Sequence, residues 1–190
     1  MNKRNYISVI ILIFAVFVYG CATTAFMVEE GEKYVHRYSG REFPKNIGLF
    51  QRGEYRKYDS TGYNISVGYQ LDKPTLVIAT VYIYPATTSG GLVDVGHELN
   101  FVKSSIVEGH PEVIWIGDTD VECKSGYEIL KGKKSSFTFR DSRMFNGQQV
   151  LSYAYLFKQD IWFIKYRITY PQVLHYAVDE EVNRFINSLR

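Results

Sequence analysis

The chain has 190 residues, 46% of them hydrophobic, with 22 Lys+Arg against 20 Asp+Glu and only two cysteines. Near-balanced charge lacks the basic excess with which a protein grips nucleic acid by its phosphates, so no nucleic-acid partner is expected. The length suits one domain with a real core.

Lys3 and Arg4 open the chain, and residues 7–18 form an apolar run broken only by Ser8. A basic start, a short apolar core and a small residue before a processing point make a secretory signal. The positive start tends to stay in the cytoplasm, which sends the rest of the chain out.

The run ends in Val18-Tyr19-Gly20-Cys21. This stretch resembles the lipobox of bacterial lipoproteins, in which the cysteine thiol takes a diacylglyceryl group and becomes the first mature residue. The resemblance implies a lipid attachment at Cys21 and a membrane-anchored protein facing the periplasm or the exterior. Ala22 implies the outer membrane where the cell has one. The other reading is an uncleaved anchor helix, since residues 6–28 carry no charge and are long enough to span a bilayer. Residues 1–20 are thus expected to be the signal peptide, 21–42 the anchor and tether, and 43–190 a single domain. Without residues 1–20 the chain keeps 22 − 2 = 20 basic and 20 acidic residues. With Cys21 lipidated, Cys123 has no partner and is expected to be a buried small hydrophobe.

In the domain, Tyr63, Ile65, Val67 and Tyr69 alternate with polar residues or glycine, the period-two pattern of a half-buried strand. Residues 59–62 before it read as a turn leading back to a strand within 49–58. Residues 75–84, nearly all apolar or aromatic, predict a central strand covered on both faces. Val95, Leu99, Val102 and Ile106 then step by four, three and four, a helical stripe with Asp94 as N-cap and Gly109 with Pro111 at its close. Strand character resumes at 113–116, 127–130, 137–139, 151–157 and 161–170, the last two joined across Lys158-Gln159-Asp160. On the final strand Trp162, Ile164, Tyr166 and Ile168 share one face and Lys165 and Arg167 the other. Pro171 starts a terminal helix with the stripe Leu174, Val178, Val182, Phe185 and Leu189.

These elements predict an α+β fold: a largely antiparallel sheet of six or seven strands with one central and one C-terminal helix. Phe43-Pro44 with Ile47-Gly48, the strand ending Tyr82-Ile83-Tyr84-Pro85 and the block Trp162-Phe163-Ile164-Lys165-Tyr166-Arg167 are similar to PsbP-like domains over residues 43–190. That resemblance implies a binding or assembly module. It speaks for fold rather than activity.

Catalytic chemistry is sparse. His97-Glu98 would need a second histidine at 101 to be a zinc motif, and that residue is Phe101. His36, His110 and His175 are too dispersed for a ligand set. Asp118, Asp120 and Glu122 alternate, so a strand would aim all three at one face. That arrangement fits either a hard cation or a charged sheet edge that discourages edge pairing. Thr87-Thr88-Ser89-Gly90-Gly91 lacks the P-loop ending and reads as a connection. Lys131-Gly132-Lys133-Lys134 reads as a hairpin turn or as a contact with anionic lipid. No catalytic residue, cofactor or metal is expected.

Sixteen tyrosines favour a binding surface. The leading expectation is a lipid-anchored envelope protein with a non-catalytic binding or assembly domain, which binds another protein or an envelope component through the face of Lys165 and Arg167. The alternatives are a small-ligand binder with a tyrosine-lined pocket between sheet and helix, and a metal-dependent enzyme using the three carboxylates.

Overall fold

The computed structural model describes residues 27–110 and 112–188. Cys21 and the apolar run before it lie outside those residues, as does Leu189.

Strands β1 (Met27–Glu30), β2 (Lys33–His36) and β3 (Glu42–Pro44) form a small antiparallel sheet. The stretch expected as tether is therefore folded from Met27 on. Met27 and Phe43 are buried in the same cluster as the main core. His36 is wholly buried. Its Nε2–H donates to the Gly62 carbonyl at 2.9 Å, which leaves Nδ1 to accept from Ser39 Oγ at 2.7 Å. Its ring meets Trp162 edge-on at 5.5 Å.

The main sheet takes in β4 (Asn46–Ile47), β5 (Phe50–Lys57), β6 (Ile65–Leu71) and β7 (Val77–Pro85). A two-residue ladder, β8 (Thr87–Thr88) with β9 (Gly91–Leu92), leads into helix α1 (Val95–Gly109). The chain returns through β10 (Ile114–Ser125), β11 (Glu128–Asp141), β12 (Gln148–Gln159) and β13 (Trp162–Pro171), and ends in helix α2 (His175–Ile186). The strand order is β10-β11-β12-β13-β7-β6-β5-β4, with every neighbouring pair antiparallel.

The α2 face of the sheet holds the main core. Val67, Val81, Ile83, Ile164 and Ile168 are essentially without exposure there, and Val178, Val182 and Phe185 of α2 close over them. The opposite face is covered by α1 only in part. Leu99 packs with Leu156 and Phe163, while Val102 and Ile106 pack with Phe137 and Ala154. Asp94 caps α1, its carboxylate accepting from the His97 amide at 3.0 Å. On β7 the consequence is visible in sequence order: Val77, Ala79, Val81 and Ile83 are buried, whereas Ile78, Thr80, Tyr82 and Tyr84 are half-buried. The strand expected to be covered on both faces thus has one face only partly filled.

The α+β expectation is corrected. The protein is mainly β, with 55% strand and 19% helix around an eight-stranded sheet rather than one of six or seven strands. The largest source of the difference is the stretch 114–141. Three separate short strands were expected there, but it forms one long hairpin in which Ile114 pairs with Thr138 and Ser125 with Glu128. Lys131 to Lys134 therefore lie within β11, not in a turn. Gly132 is required there, because a side chain would run into the Leu156 carbonyl and the Phe157 ring of β12. Pro171 ends β13 instead of opening the helix, and a short 3-10 turn intervenes before α2. Leu174 is consequently left exposed.

Candidate functional site

Between α1 and the part of the sheet it leaves uncovered lies a cleft of about 680 Å³. That is within the usual size of small-molecule sites. Its floor comes from β7 and β13, whose register sets Lys165 beside Tyr82, Arg167 beside Thr80 and Thr169 beside Ile78. Phe101, Val102 and Ile106 of α1 supply an apolar wall, and Glu98 and Ser105 add polar groups to it. Alternation along β13 is the cause: the residues between Ile164, Tyr166 and Ile168 must point away from the main core, and α1 stops short of covering them.

Lys165 and Arg167 are thus held together in the cleft. Lys165 Nζ lies 4.3 Å from the ring centroid of Tyr82 and 5.3 Å from that of Tyr84, within reach of cation–π attraction. Tyr84 donates its hydroxyl proton to Glu98 at 2.7 Å. Arg167 Nη2 donates to Ser152 Oγ at 3.0 Å, and Ser152 in turn meets Thr169 Oγ1 at 2.8 Å. Arg167 Nε is buried without a hydrogen-bond partner. Among the described residues neither cation makes a salt bridge.

The electrostatics follow. Burial brings the Lys165 pKa down to about 8, with Arg167 pushing the same way and Glu98 opposing. Burial also lowers the Arg167 pKa, opposed by Tyr82. Burial, reinforced by the hydrogen bond to Glu98, raises the Tyr84 pKa, so its hydroxyl stays protonated. His110, at the end of α1, lines the cleft with its ring 4.2 Å from that of Phe139. Burial and then Arg167 lower its pKa. Such a site supplies positive charge, neutral hydroxyl donors and apolar surface.

The other candidate residues lie elsewhere. Asp118 accepts from Lys103 Nζ at 2.8 Å and Trp115 Nε1 at 3.1 Å, and Asp120 accepts from Lys133 Nζ at 2.7 Å. Burial opposes the charge on Asp118, but its hydrogen bonds from Lys103, Ser135 and Trp115 outweigh that and lower its pKa. Glu122 stands opposite Lys131. The acidic run and the basic run are therefore the two sides of one hairpin. Among the described residues no three His, Cys, Asp or Glu side chains gather as a metal site. Cys123 is buried in the main core, where burial raises its thiol pKa to about 11 despite the opposing charge of Arg41. His175 Nδ1–H donates locally to the Gln172 carbonyl at 3.1 Å, at the start of α2, whereas His36 lies on β2. The residues that sequence reasoning left out of the site are Tyr82 and Tyr84, whose link to Lys165 depends on β13 lying next to β7, and Glu98, which lines the cleft from α1.

No family model matches the chain, and no curated protein matches it. Among solved structures it is similar to PA94 of Pseudomonas aeruginosa, a protein of unknown function, with a TM-score of 0.49 and 7% identity over 86% of this chain and 94% of that one. A likeness at that level carries no argument about activity.

Proposed function

We propose that the chain is a cell-envelope protein held to the membrane by lipid on Cys21, and that its domain is a non-catalytic module that binds a small molecule in the cleft under α1. The observation that carries the binding part is the cleft itself, a space of about 680 Å³ with an apolar helix wall over a floor of Lys165, Arg167 and tyrosine side chains. Pockets of that kind, apolar with a few convergent polar groups, are where small ligands bind. The anchor part rests on the lipobox-like sequence. Among the described residues no helix is long and apolar enough to cross a membrane.

Two measurements test the reading. A clickable fatty acid is expected to label the full-length protein in cells and to leave Cys21→Ser unlabelled. Label retained by that variant would remove the anchor. Ser105 is exposed on α1 and lines the cleft, so Ser105→Trp is expected to put an indole across the cleft and obstruct it, with no core residue replaced. Native mass spectrometry of protein taken from membranes is expected to show a bound small molecule on the wild type and none on Ser105→Trp. Equal occupancy in both would refute the cleft as the site.

A protein partner is the second reading. It is favoured by the sheet edge at β10, where Ile114, Trp115 and Ile116 stand in a row with more than half of each surface exposed.

A further inference from the structure

Resting on the reading of the cleft as a small-molecule site, we infer that its ligand is an organic monoanion, a carboxylate or similar head on an apolar body, with the head between Arg167 and Lys165 and the body along Phe101, Val102 and Ile106.

Two observations point to the head group. The first is Arg167. Its guanidinium is pinned on one side by Ser152, yet Nε is left buried and unsatisfied. A buried donor without an acceptor is costly, and more so on a charged group, so natural structures rarely keep one without a use. The second is local charge. Lys165 and Arg167 are placed together on one strand, two positions apart, and the cleft wall offers one carboxylate, Glu98, which already accepts from Tyr84. Two cations against one anion leave a single positive charge to be met. A ligand with one negative charge neutralises the site, and a dianion would overshoot it. Guanidinium and carboxylate also fit geometrically, since parallel N–H donors match two carboxylate oxygens.

The body of the ligand follows from the opposite side of the cleft. Phe101 is 67% exposed, an unusual setting for a phenylalanine on the rim of a cavity. It supplies most of the apolar surface of the α1 wall, beside the edges of Val102 and Ile106, which are otherwise packed on Phe137 and Ala154. Tyr82 and Tyr84 add aromatic surface at the head-group end, where they already hold Lys165.

Acidity is built into the same geometry. Lys165 is faced by Arg167 on its own strand, by Tyr82 and Tyr84 on β7 and by Glu98 on α1, while His110 faces Arg167 from the helix end. Of these, Lys165 changes charge near pH 8. Anion binding should weaken as pH rises through that point, because the free protein loses the cation there.

A matched pair of probes decides the matter: 2-naphthoate and the neutral 2-naphthalenemethanol, titrated by ligand-observed NMR against the full-length protein in detergent. Cleft binding is the part abolished by Ser105→Trp, which removes partitioning into micelles. At pH 7 the acid is expected to bind the cleft about tenfold more tightly than the alcohol, the scale of one or two charge-assisted hydrogen bonds. Arg167→Met and Lys165→Met should each erase most of that preference and leave the alcohol unchanged, and the wild-type preference should shrink between pH 7 and pH 9. Should Arg167→Met not fold, Lys165→Met and the pH series carry the comparison alone. Cleft binding of both probes with equal affinity, indifferent to Lys165→Met and pH, overturns the anionic head and leaves the small-molecule reading standing. No Ser105-sensitive binding of either probe overturns both.

Discussion

Phe185→Ala is expected to destabilise the protein by about 3–5 kcal/mol, the range for removing a fully buried aromatic side chain. Phe185 has no exposed surface. Its ring lies 4.5 Å from that of Phe50, 5.0 Å from that of Tyr69 and 6.1 Å from that of Tyr166. One side chain on α2 therefore ties together β5, β6 and β13. Alanine is the better helix former, so helix propensity works slightly in favour of the variant and the loss is one of packing. Strand backbones hydrogen-bonded on both sides cannot collapse into the space, which puts the cost towards the upper part of the range. Urea unfolding should show a lower midpoint with an unchanged slope. Phe101→Ala provides the contrast: that residue is mostly exposed, and its loss should shift stability by less than about 1 kcal/mol. Similar losses for the two would mean that α2 does not close the core as described.

His36→Ala should cost about 3 kcal/mol at pH 7, because it orphans the Gly62 carbonyl and removes an aromatic contact with Trp162. The cost should also depend on pH, and its sign can be worked out. Burial lowers the His36 pKa below the ordinary 6.5, opposed by the Gly62 hydrogen bond and by Asp59. The folded state then binds fewer protons than the unfolded chain at mildly acid pH. The stability that neutral His36 contributes is fully present above 6.5 and drains away as pH falls from there through the folded value. The loss runs at up to about 1.4 kcal/mol per pH unit. Denaturation of wild type and His36→Ala at pH 7 and pH 5 should show the gap between them narrowing. A gap of constant size would mean that His36 does not titrate with folding.

Where apolar side chains fill one face of an element, its place could be read in advance. Helix α1 is the clearest instance, since its stripe and the Asp94 cap are both local. The face assignment on β13 is another: three β-branched or aromatic residues pack inward and two cations are left on the other side. The hairpin of β10 and β11 was obscured for a physical reason. β10 sits at the sheet edge and only its far end, at Val121 and Cys123, packs on the core, so most of its length needs no apolar face. The strand is held by main-chain bonds and by the Asp120–Lys133 ion pair, and over most of it the period-two hydrophobic signal has no cause to appear. The short strands β1 to β3 were hidden because a four-residue strand shows too little of any pattern. In the cleft, the cations were visible from alternation alone. Tyr82 and Tyr84 were not, because they reach Lys165 through a pairing of strands some eighty residues apart in sequence, and Glu98 was not, because it comes from α1. Aromatic residues on β7 imitated a fully covered strand.

The buried start of β1 limits how far this domain can stand from a membrane. Met27 is 7% exposed and belongs to the main core. If lipid is attached at Cys21 as proposed, only residues 22–26, five in all, separate the anchor from Met27. Even fully extended, such a leash spans only about 20 Å, about half the length of the twelve-residue strand β12. The protein would ride against the lipid headgroups like a moored float, unable to sweep the space beyond. Whatever fills the cleft would have to be met at that surface, either released from the bilayer or passed along it by a neighbour equally close.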